Sequence, residues 1–183
     1  MSFREEKTVS RNILKTGRLT LREITPDDLP FLHRIFGDAE CMRYYPGIKS
    51  FDETARWFQR LAFDSYASHD FGLWAVTDRQ SGALLGDCGI TLQETSAGLE
   101  PEIGYHLWRD HWGKGYAAEA ATACRDYALE TLGLARIVSI VRLDNIPSQR
   151  VAERVHRRRE KFAKAGNADG SLVEFYLYIT DRT

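Results

Sequence analysis

The chain has 183 residues, a formal net charge of −1, 43% hydrophobic residues and three cysteines. This length suits one domain (residues 1–183), the charge provides no field towards nucleic acid or anionic membranes, and no apolar run approaches the roughly 20 residues of a membrane span. Because the cysteines are widely spaced without a metal-ligand pattern, and the N-terminus lacks the apolar region of a signal peptide, we expect a cytoplasmic protein without a metal site.

The first part of the chain predicts one strand followed by two helices. Residues 1–12 are mostly polar or charged and are expected to form a loose arm. The alternating sequence RLTLR at 18–22 predicts a strand with one buried face. Thr25, followed by Pro-Asp-Asp, and Ser50, followed three residues later by Glu, each have the pattern of a helix start.

An aromatic loop and a strand hairpin follow. The loop at 40–47 carries Tyr44 and Tyr45, whose rings either pack within the domain, which is our preferred interpretation, or face a substrate. The segments 71–78 and 84–92 are rich in apolar and β-branched residues and are separated by a Ser-Gly turn. They predict two antiparallel strands.

The next part of the chain is the most informative. Residues 96–101 are expected to form a loop, 102–107 a strand and 116–132 a helix. Between the strand and the helix lies the turn WGKGYA, residues 112–117. Small residues along one side of the helix would let it approach a sheet closely.

This turn has the chemistry of a phosphate cradle. The first N–H groups of a helix lack intrahelical partners, and the helix dipole adds positive charge there. Gly113 and Gly115 allow a phosphate to approach the backbone without a Cβ in the way, and Lys114 adds a charge. The turn lacks the Ser or Thr of a Walker loop and the third glycine of a dinucleotide fingerprint. A plain helix entry with permissive glycines is the alternative interpretation.

The remainder predicts a strand, a helix and two strands. The β-branched run at 137–141 is typical of a buried strand, and Asn145 is a candidate N-cap of the helix that follows. The basic residues between 157 and 164 are interpreted as solvated surface. The sequence NADG at 167–170 predicts a hairpin turn before a last strand at 172–180.

Three motifs in this order resemble the GNAT N-acetyltransferase superfamily, with the RimJ/RimL-type branch as the most similar group. They are EIGY at 102–105, WGKGYAAEA at 112–120 and NIPS at 145–148. In the family's acyl-CoA loop, written Q/R-x-x-G-x-G/A, Trp112 stands where Gln or Arg is usual, and Gly115 and Ala117 take the two small-residue positions. The resemblance runs from about residue 14 to residue 180.

The resemblance implies a mixed α/β fold and a bound acyl donor. The expected sheet is largely antiparallel, has about seven strands, is splayed between strands 4 and 5, and is flanked by about four helices. The residues implied to bind acetyl-CoA are Leu107, Trp108, Trp112, Gly113, Lys114, Gly115, Tyr116, Ala117 and Asn145. The family pattern has a glycine where this chain has His156, so we expect either a longer helix or a strained His156.

The implied activity is acetyl-CoA-dependent acetylation of a primary amine, above all the N-terminal α-amine of a protein. At pH 7 an α-amine costs about 1.4 kcal/mol to deprotonate, against about 4.6 kcal/mol for a lysine. Glu102 is the candidate base and Ser148 the candidate hydrogen-bond donor to the leaving thiolate. Alternatively, Glu102 is an exposed strand-end carboxylate, Ser148 only caps its helix, and Tyr176 or Tyr178 serves the thiolate.

Other functions remain open at this level. The acceptor can instead be an aminoglycoside or a polyamine, and the donor a longer acyl-CoA such as succinyl-CoA. A non-catalytic acyl-CoA-binding module is the alternative from another class. The family also suggests a homodimer.

Overall fold

The computed structural model describes residues 10–165 and 171–182. The strands are β1 (Asn12–Lys15), β2 (Leu19–Glu23), β3 (Leu73–Asp78), β4 (Leu84–Thr95), β5 (Gly98–Leu107), β6 (Arg136–Arg142), β7 (Arg158–Ala165) and β8 (Leu172–Asp181). The α-helices are α1 (Leu29–Phe36), α2 (Phe51–Phe58), α3 (Asp64–His69), α4 (Tyr116–Asp126) and α5 (Ile146–Val155). Most of the expected N-terminal arm and the whole predicted turn at 167–170 lie outside the described residues.

Some helices are joined or extended by π-helical segments. A π-helical segment, Gln59–Phe63, joins α2 to α3, and a second one, Tyr127–Thr131, continues α4. Within the described ranges the α-helices therefore form the four helical bodies that the resemblance predicts. None of these helices has the length and apolarity needed to cross a membrane.

All eight strands belong to one sheet in the order β1-β2-β3-β4-β5-β6-β8-β7. Neighbouring strands are antiparallel except β5 and β6, which are parallel and pair only at Glu102 and Val138. The mixed, largely antiparallel α/β fold and its splay are therefore confirmed; with β1 counted, β5 and β6 are the strands that the prediction numbers 4 and 5.

One strand was not predicted. Residues 12–15 form β1 on the edge of the sheet, so the expected arm ends before Asn12, and the sheet has eight strands rather than seven. At four residues β1 is too short to show a clear alternation. Its backbone pairing with β2 holds it in place, and Arg11 just before it contacts Glu23 and Asp70.

The predicted loop at 96–101 was wrong. β4 continues to Thr95 and β5 begins at Gly98, so only two residues separate the strands. Glu100 in this segment has a buried side chain, which forms an ion pair of 2.9 Å with Arg136. The tight turn fixes the register along the whole β4–β5 pair.

Two helical layers cover the sheet, one on each face. Alternation along β3 separates them, because Trp74 and Val76 pack in the cluster that contains α4, whereas Leu73 and Ala75 pack with α1 and α2. On the first face, the buried small residues of α4 allow the expected close approach; they are Ala120, Ala121 and Cys124. Below, the two sides of the sheet are called the α4 face and the α1 face.

The segment after α5 differs from both expectations. α5 ends at Val155, and His156 is extended (φ −109°, ψ 160°) rather than helical or strained. Its buried ring lies 3.1 Å from the Thr180 hydroxyl and 3.0 Å from the Ser139 hydroxyl. Burial, with a smaller contribution from Arg125, lowers the pKa of His156 to about 4, so the ring is neutral at neutral pH. These buried partners, rather than a glycine, direct the chain out of the helix.

Candidate active site

The splay between β5 and β6 is closed at one end by side chains. The Ser139 hydroxyl donates to the Ile103 carbonyl at 3.0 Å. Its oxygen therefore accepts from Nε2–H of His156, whose Nδ1 accepts from Thr180. This chain of hydrogen bonds joins β5, β6, β8 and the end of α5 at the point where the strands diverge.

Beyond that point β5 has backbone groups that face the gap. The N–H of Trp108 donates to the Leu85 carbonyl in β4, and hydrogen-bonding direction alternates along a strand. The N–H groups of Tyr105 and Leu107 are therefore directed away from β4, into the gap. The Leu107 carbonyl accepts from the indole of Trp112 at 2.8 Å. An extended ligand with amide groups can pair with this edge as an added strand.

A cavity of about 340 Å³ passes through the gap. Tyr105, Asn145 and Ser148 line it on the α4 face, where the Tyr105 hydroxyl donates to the Ser148 carbonyl at 3.0 Å. Glu102 and His106 line it on the α1 face, where the His106 ring packs against Phe36 of α1 at 4.7 Å between ring centroids. Two ligands can therefore meet in the gap from opposite faces.

The glycine turn precedes α4 with the backbone open to a ligand. Gly113 and Gly115 have φ values of +72° and +80°, in the left-handed region that favours glycine. A Cβ at Gly113 would meet no heavy atom within 4 Å, so the space beside the turn is free. The N–H groups of the first turn of α4, which begins at Tyr116, have no intrahelical acceptor. These groups and Lys114 form a fitting site for a pyrophosphate.

Residues between β1 and β2 brace this turn, and no local sequence pattern pointed to them. Arg18 donates to the Lys114 carbonyl at 2.9 Å and forms an ion pair of 2.7 Å with Glu119. Its guanidinium also lies 4.6 Å from the centre of the Tyr116 ring. Thr16 donates to the same Glu119 carboxylate at 2.5 Å. The turn is therefore held in shape before any ligand binds.

The other implied donor-binding residues occupy different places. Asn145 caps α5, accepting from the Ser148 N–H at 3.2 Å, and its side chain also lines the cavity. The indole of Trp108 lies 4.7 Å from the Arg34 guanidinium and donates to Asp110, so it belongs to the α1 face rather than to the glycine turn at 112–117. Trp112 is partly exposed and supports the Leu107 carbonyl.

Glu102 lies in the middle of β5 and lines the cavity, so it is not the exposed strand-end carboxylate of the alternative interpretation. Its oxygens accept from the Ile140 N–H at 3.3 Å and from the Thr91 hydroxyl at 3.4 Å. Burial raises its pKa to about 7, although the Ile140 N–H and the charge of Lys164 oppose this shift. Near neutral pH such a carboxyl can both accept and release a proton.

A row of three polar side chains faces the same side of the cavity. The sequence analysis named only one of them, Tyr45, as a ring that faces a substrate in the less favoured interpretation, and its ring does line the cavity. The Tyr45 hydroxyl lies 2.6 Å from Nε2 of His106, whose Nδ1 lies 2.9 Å from the fully buried carboxylate of Asp87. Asp87 and His106 stand directly opposite each other on β4 and β5. This pairing follows from the two-residue turn at 96–97, which the sequence analysis interpreted as a longer loop.

The two tyrosines of β8 lie elsewhere. Tyr178 is buried in a cluster with Val141 and Ala152, and its hydroxyl is 3.2 Å from Arg159. Tyr176 packs against the same cluster. Among the described residues that line the cavity, neither of these tyrosines is found. Ser148 is therefore better placed than Tyr176 or Tyr178 to serve a leaving group in the gap.

Comparison with known proteins identifies the family. Residues 18–158 match the family model of the acetyltransferase (GNAT) domain, so the chain belongs to the GNAT acetyltransferase family. The uncharacterised protein YkkB of Bacillus subtilis (strain 168) is 34% identical over 168 residues, which cover 90% of this chain and 96% of YkkB. The uncharacterised N-acetyltransferase p20 of Bacillus licheniformis is 30% identical, with 90% and 93% of the two chains covered.

A solved structure agrees with this assignment. The crystal structure of the acetyltransferase from Agrobacterium tumefaciens str. C58 superposes with a TM-score of 0.72 at 29% identity, covering 94% of this chain and 98% of that chain. Together with the family model, these relatives show that the protein is an acetyltransferase enzyme.

Proposed function

We propose that this acetyltransferase uses acetyl-CoA to acetylate a primary amine, with the N-terminal α-amine of a protein as the preferred acceptor, as in the RimJ/RimL-type branch. The observation that carries the proposal is the cavity through the gap between β5 and β6, which Asn145 and Ser148 line on the α4 face and Glu102, whose pKa is raised, lines on the α1 face. The glycine turn that fits a pyrophosphate follows β5 and precedes α4. Acetyl-CoA enters from the α4 face and the amine from the α1 face, and the acetyl group passes from the first to the second.

The donor is held on the α4 face by backbone groups. The N–H groups of residues 113–117 bind the pyrophosphate, with Lys114 adding charge. The pantetheine arm pairs with the N–H groups of Tyr105 and Leu107 and with the amide of Asn145. Trp112 donates to the Leu107 carbonyl and so supports this end of β5. The Leu107 N–H, which is directed into the gap, donates to the thioester oxygen, where negative charge develops.

Proton transfer is divided between the two faces. On the α1 face, Glu102 accepts a proton from the acceptor nitrogen, directly or through a water. On the α4 face, the Ser148 hydroxyl donates to the departing thiolate. Because the deprotonation of an α-amine costs only about 1.4 kcal/mol at pH 7, a base with a pKa of about 7 is sufficient for that acceptor.

Fold neighbours include both classes of acceptor. The structure described as RimL, a ribosomal L7/L12 alpha-N-protein acetyltransferase in complex with coenzyme A, has a TM-score of 0.73 at 18% identity. A spermidine N-acetyltransferase from Vibrio cholerae in complex with CoA and spermine has a TM-score of 0.72 at 20% identity. At these identities the likeness concerns the fold, so the choice of an α-amine rests on the proton energetics above.

The test is thiol release from acetyl-CoA with a panel of amines. The panel contains tetrapeptides that begin with Ala, Ser or Met, the same peptides with a blocked N-terminus and one lysine, spermidine, and an aminoglycoside. We expect the free-N-terminus peptides to give the highest kcat/KM, and Glu102→Gln to reduce it. Faster turnover of spermidine or the aminoglycoside would assign a small-molecule acceptor. Saturable acetyl-CoA binding without thiol release for any amine would indicate a non-catalytic acyl-CoA-binding module.

A further inference from the structure

The α1 face of the cavity contains a connected row of three polar side chains. The Asp87 carboxylate is fully buried, and one of its oxygens has no hydrogen-bond partner among the described residues. The other oxygen contacts Nδ1 of His106 at 2.9 Å, and Nε2 of His106 contacts the Tyr45 hydroxyl at 2.6 Å. The row leads from the sheet interior to the cavity, which Tyr45 lines.

The chemistry of these groups fixes the direction of the hydrogen bonds. A carboxylate only accepts, so Nδ1 of His106 carries a hydrogen and donates to Asp87. In a neutral imidazole Nε2 then has a lone pair and accepts the hydrogen of the Tyr45 hydroxyl. The lone pairs of the phenol oxygen are consequently left for a donor in the cavity, such as an ammonium group.

The space beside this row can hold the acceptor. Glu102 and His106 lie on the same face of β5, with Gly104 between them. A Cβ at Gly104 would be 3.9 Å from Leu73 and 4.0 Å from the Glu102 carboxyl, so the position is open. An amine above Gly104 would have Glu102 on one side and Tyr45 on the other.

We propose that Tyr45, His106 and Asp87 form a proton relay that deprotonates the acceptor ammonium before it attacks the thioester. Tyr45 is a catalytic residue, since its phenol oxygen contacts the acceptor nitrogen. His106 and Asp87 are positioning residues that act through Tyr45. This inference rests on the proposed function, and it adds a second proton acceptor beside Glu102.

The proton balance gives each group a separate task. Between ammonium and amide the nitrogen loses two protons. The first passes to the Tyr45 oxygen while the phenol proton passes to Nε2 of His106. After product release, the proton on His106 leaves for solvent. Glu102 receives the second as the C–N bond forms and the C–S bond breaks, and Ser148 supplies the hydrogen that converts the thiolate to a thiol. Ser148 is then reprotonated from Glu102 through the cavity, so one proton is released per turnover.

The surroundings of the row are consistent with concerted transfer through Tyr45. Burial of the phenol hydroxyl raises the pKa of Tyr45 above its ordinary value, and the nearby Glu102 and Asp87 carboxyls raise it further, so a free phenolate is disfavoured. Besides the row itself, the titratable groups that face it are Glu102 and Tyr105 on β5, Tyr66 on α3, and Lys164 on β7 through its effect on Glu102.

The relay is tested by the pH dependence of kcat in three variants. With the free-N-terminus peptide that the wild type acetylates fastest, Tyr45→Phe and His106→Asn should lower kcat at pH 7 by about tenfold, with little change in KM for the peptide, because only about one tenth of an α-amine is deprotonated at that pH. Once the pH exceeds about 8, an α-amine is deprotonated in solution, so kcat of both variants should approach the wild-type value. Asp87→Asn, whose amide can donate to Nδ1 and reverse the hydrogen bonds, should behave in the same way.

Two controls separate a relay from a merely structural role. Tyr127→Phe removes a hydroxyl from a ring in the helical segment that continues α4, which is not among the described residues that line the cavity, and it should retain the wild-type rate. The stabilisation of each variant by acetyl-CoA in thermal unfolding should equal that of the wild type. A full rate for Tyr45→Phe, or a loss that is the same at pH 7 and pH 9, would overturn the relay and leave the proposed function intact. No thiol release by the wild type with any amine would overturn both.

Discussion

The two faces of the sheet reach the gap with residues arranged very differently along the chain. On the α4 face the glycine turn consists of consecutive residues, 112–117, directly before α4. On the α1 face, Tyr45 and His106 are 61 residues apart and Asp87 and His106 are 19 apart. The first arrangement depends on local backbone conformation, whereas the second depends on strand register and loop placement. The difference teaches that the proposed donor-binding turn is encoded locally, whereas the proposed acceptor site is not.

The largest loss of acetyl-CoA affinity is expected for a substitution in the glycine turn itself. Gly115→Val places a β-branched residue at φ +80° and a side chain within reach of Arg18, 3.5 Å from the new Cβ. Both effects distort the cradle, and acetyl-CoA affinity should fall at least a hundredfold, as measured by calorimetric titration.

The matched control is Gly82→Val in the turn between β3 and β4. Gly82 has a similar φ of +73° and open space around its Cβ position, so backbone strain should be comparable. Its acetyl-CoA affinity should be unchanged. Equal losses in the two variants would mean that strain, and not the cradle, causes the effect.

A smaller effect is expected for the residue that braces the turn from a distance. Arg18→Ala removes the hydrogen bond to the Lys114 carbonyl and the ion pair with Glu119, so acetyl-CoA affinity should fall about tenfold. Arg11→Ala is the control, since Arg11 is equally exposed and also forms ion pairs. If both variants bind acetyl-CoA like the wild type, donor binding depends on the consecutive turn residues alone.

Glu102 allows the α1 face to be tested through stability. Because its pKa is raised to about 7 in the native state, the protonated form is favoured there, and the contribution of this group to stability is lost as the pH rises through 7. Glu102→Gln mimics the protonated form. The melting temperature of the variant minus that of the wild type should therefore be several degrees higher at pH 8.5 than at pH 5.

The control for this measurement is Glu94→Gln at an exposed position of β4. Its melting temperature relative to the wild type should be the same at both pH values. A flat difference for Glu102→Gln as well would show that the Glu102 carboxyl is not buried in the way described.

The smallest change in melting temperature is expected at the closed end of the gap, where His156 joins the strands through hydrogen bonds. The pKa of His156 is lowered to about 4, so its contribution to stability is present above pH 6.5 and is lost as the pH falls towards 4. His156→Gln does not titrate. The wild type should lose a few degrees more than this variant in melting temperature between pH 7 and pH 5; parallel curves would contradict the assignment of a buried neutral ring.

Much of the fold could be predicted because its signals are local. The alternation at 18–22, the capping pattern at Ser50 and the β-branched run at 137–141 correspond to β2, α2 and β6. β1 was missed because a four-residue edge strand depends on its partner. The polar residues near Glu100 concealed a buried ion pair, and with it the length of β4 and β5.

The site divides in the same way. The glycine turn, Glu102, Asn145 and Ser148 could be proposed from motifs. The turn, Asn145 and Ser148 belong to recognisable helix starts, and Glu102 belongs to the EIGY motif of a predicted strand. Arg18, Asp87 and His106 could not, because their partners are set by the order of strands and by one tight turn. His156 was wrongly expected to be helical or strained, since no sequence pattern shows the buried hydroxyls of Ser139 and Thr180.

The most direct measurement of the central claim is thermal unfolding with acetyl-CoA, with ATP as the control phosphate ligand. At 100 times its dissociation constant, a ligand that binds only the native state stabilises it by roughly 2.7 kcal/mol, equivalent to about 5–10 °C in a domain of this size. We predict such a shift with acetyl-CoA and none with ATP, because in the proposed site the gap between β5 and β6 holds the pantetheine arm, which ATP lacks, while the glycine turn holds the pyrophosphate. No shift with acetyl-CoA, or an equal shift with ATP, would contradict the gap as the donor site.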